Sequence, residues 1–356
     1  MLLGLPARCF GTSAPAEPGD RLRQSKKGRS MRANRVMITT PGPPEVLRYE
    51  PYELAAPGPG EALLRQTAIG LNYIDIQHRS GRYPLPQYPA PIGTEAAGIV
   101  EAVGAGVDTL APGDRIAYSS LPVGAYADFR CIAAERLVPL PAEVPDTVAA
   151  GIMTKGLTAH YLIFTTYPVK AGDTILVHAA AGGVGSILCQ WAKHLGATVI
   201  GTVGSEAKAE LARRQGCDFP ILYTKEDFAK AVMELTHGKG VPVVYDSVGR
   251  DSFEKSLSCL APRGLLVSFG TASGPIPPFD LFRLNRLGSL YVTSPAFVTH
   301  TSERRELLER ARQLFGALAT GILRVEIGRA YPLSEAVRAH AELEARRTTG
   351  SNILLP

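Results

Sequence analysis

The chain has little of what a membrane span, a disulfide framework or a structural zinc cluster is built from. No apolar run reaches the roughly 20 residues that cross a bilayer, so a membrane-spanning helix is not expected. The cysteines are few, odd in number and scattered: Cys9, Cys131, Cys189, Cys217 and Cys259, with no CxxC pair. That pattern argues against disulfides and against a four-cysteine zinc site. It fits reduced or buried thiols in a cytoplasmic protein.

A strong charge of one sign is also lacking from the body of the chain. The net charge is +5, but residues 1–30 carry six basic side chains (Arg8, Arg21, Arg23, Lys26, Lys27, Arg29) against Glu17 and Asp20. The remainder is close to +1. Such a body offers no electrostatic footprint for phosphate backbones, so no nucleic-acid partner is expected. Residues 1–30 are rich in Ala, Pro, Gly, Ser and Arg and read as a disordered extension. An organellar transit peptide is the lesser reading, because Glu17 and Asp20 do not suit that class. An upstream start, with Met31 opening the folded protein, is preferred.

The chain of 356 residues is long enough for two domains of ordinary size. Thr174 to Ala179 is a short β-branched and apolar run, the pattern of a buried parallel strand. It enters Ala180-Ala181-Gly182-Gly183-Val184-Gly185, a GxGxxG turn with Ala in the first glycine position. Val184, Ile187, Leu188, Trp191, Ala192 and Leu195 then recur at helical spacing, Gly196 ends the helix, and a second strand runs from Ala197 to Thr202. A pyrophosphate needs bare backbone N–H groups at a helix N-terminus, which is why glycines stand at 182, 183 and 185. A lone glycine motif is weak, but this strand–turn–helix–strand setting makes it specific.

Alternation continues beyond it. A helix is expected from Ser205 to Gln215. A second is expected from a Thr224 cap to Glu234, with Asp227 in its first turn. The strand Val241 to Asp246 and a helix from Asp251 to Leu260 follow. Two last strands are expected at Gly264 to Phe269 and Ser289 to Thr293. This predicts a doubly wound parallel α/β sheet of Rossmann type.

An acid is missing where an NAD-preferring site would place one. The second strand ends Ile200-Gly201-Thr202-Val203-Gly204-Ser205, with no carboxylate before Glu206. Ser205, Lys208 and Tyr223 offer a hydroxyl, an ammonium and a phenol instead, groups suited to a 2′-phosphate and therefore to NADPH. The bland reading of Lys208 is a solvated helix surface.

Residues 31–150 read differently. Short β-type runs at Ala62 to Ala68, Gly98 to Val103, Asp114 to Ala117 and Tyr126 to Arg130 are broken by Gly and Pro, which predicts an irregular β lobe. Four phrases here resemble the medium-chain dehydrogenase/reductase superfamily, whose first lobe is GroES-like. They are Gly70-Leu71-Asn72-Tyr73-Ile74-Asp75, Gly93-Thr94-Glu95-Ala96-Ala97-Gly98, Val103-Gly104 and Pro112-Gly113-Asp114-Arg115. Zinc alcohol dehydrogenases of that superfamily carry Cys near Asn72 or Tyr73 and His at Thr94. Asn, Tyr and Thr are not usual zinc ligands, so no metal is expected.

Further phrases resemble quinone oxidoreductases of the zeta-crystallin type, especially bacterial NADPH:quinone reductases. They are Met153-Thr154-Lys155-Gly156-Leu157-Thr158-Ala159, His178 to Gly185, Tyr245-Asp246-Ser247-Val248-Gly249, Gly288 to Thr293, and Thr349 to Pro356. Ser351-Asn352 departs from a Gly-Lys pair common in that group.

The resemblance implies a GroES-like catalytic domain over 31–153, completed by 292–356, and a nucleotide domain over 154–291. It implies a nicotinamide between the lobes, near Asn72, Tyr73, Asp75 and Thr154. The pyrophosphate would lie on Gly182, Gly183, Val184 and Gly185, and the 2′-phosphate on Ser205, Lys208 and Tyr223. Phe269, Gly270 and Asn352 would complete the site. It also implies a homodimer, with Gly288 to Pro295 as an apolar edge strand. Asn72 or Tyr73 could donate a hydrogen bond to a developing oxyanion, although Tyr73 could simply pack on the nicotinamide. Asp75 reads as structural, and His78 and His160 as surface or satisfied histidines. Three functions stay open: a quinone reductase, an alkenal or enoyl double-bond reductase, and a non-enzymatic NADPH-binding protein that binds RNA.

Overall fold

The fold was analysed in a computed structural model that describes residues 32–119, 121–345 and 347–356. The expected N-terminal extension lies outside the described residues.

Short strands separated by Gly- and Pro-containing turns build the first lobe. They are β1 (Arg32–Ile38), β2 (Leu47–Glu53), β3 (Glu61–Leu71), β4 (Ala90–Pro91), β5 (Glu95–Val103), β6 (Arg115–Ser119), β7 (Phe129–Ala133) and β8 (Val138–Pro139). β1 lies between β2 and β4, and β3 pairs antiparallel with both β5 and β7. One helix, α1 (Tyr73–Arg79), starts directly after β3. The strand expected from Tyr126 begins three residues late, at Phe129. Tyr126 is in a turn whose amide is taken by the Ile92 carbonyl.

Helix α2 (Asp146–Tyr161) crosses the expected 153/154 boundary without a break. Nearly every residue from Ala149 onward is buried, because β3 and β5 pack on one side of it and the next helix packs on the other.

The second lobe alternates as expected. In chain order it comprises β9 (Thr174–Val177), α3 (Gly183–His194), β10 (Thr198–Val203), α4 (Glu206–Arg214), β11 (Phe219–Leu222), α5 (Phe228–Leu235), β12 (Val241–Asp246), α6 (Phe253–Ser258), β13 (Leu260–Ser268), α7 (Phe282–Arg286) and β14 (Tyr291–Thr293). All pairings are parallel, in the order β11-β10-β9-β12-β13-β14, with β14 at an edge. This is the doubly wound Rossmann order. Two boundaries differ from expectation: the helix expected from Asp251 to Leu260 ends at Ser258, with β13 starting at Leu260 and not Gly264, and α5 starts later than expected. Asp227, not Thr224, is the cap of α5, and its carboxylate accepts from the amides of Ala229 and Lys230.

Three helices and two strands finish the chain: α8 (Phe297–Thr301), α9 (Arg304–Ala319), β15 (Ile327–Pro332), α10 (Ala336–Glu344) and β16 (Ser351–Leu355). β16 returns to the first lobe, where it lies between β15 and β3. Three apolar cores result, the smallest on the far face of the parallel sheet around Leu176, Ile200, Val244 and Phe253. Of the two larger ones, one surrounds α2 and the near face of the parallel sheet, and the other fills the β lobe. No helix among the described residues is long and apolar enough to cross a membrane.

Candidate functional site

A cavity of about 520 Å³ lies at the carboxyl ends of β9, β10 and β12, where the strand order of the parallel sheet reverses. Open α/β sheets bind ligands at this place. The glycine-rich turn forms its floor: Ala179, Ala181, Gly182 and Gly183 face it, and α3 begins at Gly183. The turn is tight. A β-carbon at Gly185 would collide with the Ala179 carbonyl, and Ala179 itself has φ of 51°. The cradle therefore fits a group that approaches bare amides, as a pyrophosphate does.

At one end, Gly204, Lys208 and Tyr223 line the cavity. Ser205 caps α4 by accepting from the Lys208 amide at 3.4 Å. Lys225 is paired with Glu206 at 2.7 Å and Lys255 with Asp227 at 2.7 Å. Lys208 has no carboxylate partner among the described residues, so its charge is uncommitted. Glu226 is also at this end, where it accepts from the Leu222 amide at 3.4 Å.

At the other end Tyr73 enters from the first lobe, its hydroxyl 3.5 Å from the Ala272 carbonyl. Its neighbours lie behind the wall. Asn72 is buried and donates to Glu95 at 2.6 Å. Asp75 is fully buried and accepts from the Asn72 amide (2.9 Å), Tyr126 (3.1 Å) and Thr94 (3.2 Å). Burial, and secondarily the charge of Glu95, push the Asp75 carboxyl up to about 7. Thr154 is half-buried. Its amide donates to Glu95, and its hydroxyl is 2.8 Å from Ser119.

Thus the structure brings Tyr73, Gly182, Gly183, Lys208 and Tyr223 onto one cavity. Val184 and Gly185 follow in the same turn, and Ser205 adjoins Lys208. Asn72, Asp75 and Thr154 stand one layer back. Phe269 and Gly270 are half-buried just after β13, off the cavity wall. Asn352 is buried in β16 opposite Leu71, also off the wall. Its neighbours Thr349 and Gly350 reach the cavity instead.

Sequence reasoning missed a buried relay beside the turn. His178 sits between Thr202 and Ser256, 2.8 Å from each hydroxyl. Asp246 then accepts from Ser256 at 3.2 Å and from Ser252 at 2.7 Å. Burial holds the His178 imidazolium below its usual range. The signal was present, since His178 directly precedes the glycine turn, but its partners are 24 to 78 residues away. The two histidines singled out earlier differ. His160 is buried and satisfied by Gln313 at 2.7 Å. His78 is neither at the surface nor satisfied: it is buried and its Nδ1 has no hydrogen-bond partner among the described residues.

Comparison with known proteins gives the same picture. The alcohol dehydrogenase GroES-like domain family matches residues 58–142, and the zinc-binding dehydrogenase family matches 183–313. Among the described residues no three His, Cys, Asp or Glu side chains gather as a metal site would require. A quinone oxidoreductase of Pseudomonas aeruginosa is 52% identical over 324 residues, which is 91% of this chain and all of that protein. A 2-haloacrylate reductase of Burkholderia sp is 45% identical, covering 90% of this chain and 98% of that protein. The crystal structure of Escherichia coli quinone oxidoreductase complexed with NADPH superposes with a TM-score of 0.89 at 46% identity, covering 91% of this chain and all of that one. With the two-lobe fold and the cavity at the sheet's switch point, these likenesses over nearly the whole folded body show that the chain belongs to the quinone oxidoreductase family of medium-chain dehydrogenases/reductases.

Proposed function

We propose that this chain is an NADPH-dependent oxidoreductase that reduces quinones by hydride transfer without a metal. The observation that carries the reading is the cavity itself: a glycine cradle at one wall, the uncommitted Lys208 beside Tyr223 at one end, and Tyr73 at the other. NADPH, when bound, supplies the hydride to an electron-poor acceptor. The chain's own residues do the rest. Gly182, Gly183, Val184 and Gly185 offer amides and a helix N-terminus to the pyrophosphate. Lys208, Tyr223 and Ser205 select the 2′-phosphate. Tyr73 flanks the nicotinamide, backed by Asn72, Asp75 and Thr154, while Phe269, Gly270 and Asn352 stand in support. The same division makes residues 31–153 with 292–356 the catalytic part and 154–291 the nucleotide part.

A conjugated carbon–carbon double bond is the second acceptor class. The likeness to a 2-haloacrylate reductase favours it, and both acceptors need only the donor carbon held close to an electrophilic one. We further infer a homodimer joined at the exposed edge strand β14, a cytoplasmic location, and no nucleic-acid or membrane partner. A panel of quinones, alkenals and activated acrylates, assayed by loss of nicotinamide absorbance with NADPH and with NADH, tests the function. Quinone-dependent oxidation of NADPH is the expected result. No oxidation with any acceptor would overturn the reading.

A further inference from the structure

We propose that Lys155 and Glu95 form a positioning pair that holds the two walls of the cavity in register for hydride transfer. The inference rests on the function proposed above and adds two residues to it.

Glu95 has no solvent exposure, and Lys155 is more than nine-tenths buried. Their charged atoms are 3.4 Å apart. Each side chain fills space that a glycine leaves open. Glu95 lies against Gly70, where a β-carbon would collide with its carboxylate. The Lys155 stem lies against Gly183, where a β-carbon would be 2.8 Å from Lys155 Cδ. Gly183 is the first residue of α3 and a wall of the cavity.

Glu95 also reaches the opposite wall. It accepts from Asn72 Nδ2 at 2.6 Å and from the Thr154 amide. Asn72 is the cap of α1, whose first residue is Tyr73. Lys155 completes its own hydrogen bonding on the Gly151 carbonyl at 3.2 Å. One buried ion pair therefore connects β5, the start of α1, the central helix α2 and the glycine turn. Neither charged group lines the cavity, so the pair acts on the geometry of Tyr73 relative to Gly183 and not on the acceptor. A donor–acceptor distance is very sensitive to such placement. A lone buried charge would disturb it, whereas a neutral pair of similar shape would keep it.

The test uses the full chain. Wild type is first assayed for NADPH binding by nicotinamide fluorescence and for turnover with a quinone. If it does neither, the functional reading and this inference fall together. K155M keeps the stem over Gly183 and removes the charge. E95Q keeps the shape of Glu95. E95D keeps the charge but withdraws it by one methylene, which leaves no unpaired charge should the other variants fold poorly.

K155M and E95Q are each expected to slow single-turnover hydride transfer tenfold or more, and E95D several-fold, all with the NADPH Kd within threefold of wild type. The isotope effect on kcat with C4-deuterated NADPH should rise, which a loss of stability alone would not cause. The K155M/E95Q double variant should recover to within threefold of wild type. A wild-type rate in K155M or E95D overturns the inference, as do losses that multiply in the double variant. In both cases the functional reading is left standing.

Discussion

The Tyr223 phenol occupies the space where a side chain at Gly204 would begin: its oxygen lies 2.7 Å from the place of a β-carbon there. Gly204 follows β10, and Tyr223 follows β11, so two adjacent strand ends meet over the cavity with no room between them. Gly204→Ala must displace the phenol. It should raise the NADPH Kd about tenfold, about 1.4 kcal/mol, with a smaller change for NADH. Fluorescence titration with both cofactors measures this. An unchanged NADPH affinity would show that Tyr223 has no part in binding.

Lys208→Ala should weaken NADPH far more than NADH, because it removes the uncommitted cation at this end of the cavity. A tenfold change in the ratio of the two affinities is expected, equivalent to about 1.4 kcal/mol. Equal losses for the two cofactors would reject a 2′-phosphate contact.

Asp75 makes a prediction about pH. Its carboxyl titrates at about 7 in the folded chain and near 3.8 when free. Between these values the folded state binds the extra proton, so stability is highest at the acid end and is lost as pH rises toward 7. At about 1.4 kcal/mol per unit the loss is at most about 4 kcal/mol. Asp75→Asn removes the titration. The unfolding free energy of wild type relative to this variant should therefore fall between pH 4.5 and 7.5. A difference that is flat or rises with pH would contradict the assignment.

Turnover should survive exhaustive chelation. Asn72 is committed to Glu95 and Thr94 to Asp75, and Asn, Tyr and Thr at 72, 73 and 94 are not usual zinc ligands. Activity lost to a chelator and restored by zinc would refute this.

Much of the nucleotide-binding lobe was legible because its elements are local. The run from Thr174 to Val203 contains its strands, turn and helix in sequence, and each length matched within two residues. The α5 cap was misread because Thr224 and Asp227 are both capping types, and only the folded backbone shows whose side chain reaches the free amides. The His178 relay and the Glu95–Lys155 pair were missed for a different reason: the residues stand in recognisable stretches, but nothing in those stretches tells which of them meet. Their members are ordinary polar residues in apolar surroundings, joined only by tertiary contact. Asn352 was expected to complete the site by the family resemblance alone. Strand pairing with β3 places it behind the cavity wall, a position that no local pattern discloses.

A homodimer should form through the edge strand β14. β14 ends the strand order, and Leu281 (72% exposed), Phe282 (61%) and Tyr291 (60%) leave apolar side chains bare in this strand and at the start of the helix before it. Edges of this kind are pairing hazards unless covered. Sedimentation at micromolar concentration should give a species of twice the 38.0 kDa chain mass. Phe282→Asp with Tyr291→Asp should halve it without lowering the unfolding midpoint of the isolated chain. A wild-type species at the single-chain mass would reject the dimer.

The return of β16 to the first lobe sets the order in which the protein can be made. The parallel sheet uses only residues 174–293 and is free to form once that stretch has been synthesised. The β lobe begins at Arg32, yet its largest sheet needs Ser351–Leu355 between β15 and β3. Roughly 280 residues of chain separate the two partners, and such distant pairings are slow to close. During synthesis the Ile69–Leu71 end of β3 must therefore wait with one edge unpaired, although β7 covers Glu61–Arg65, and the lobe translated first is the lobe completed last.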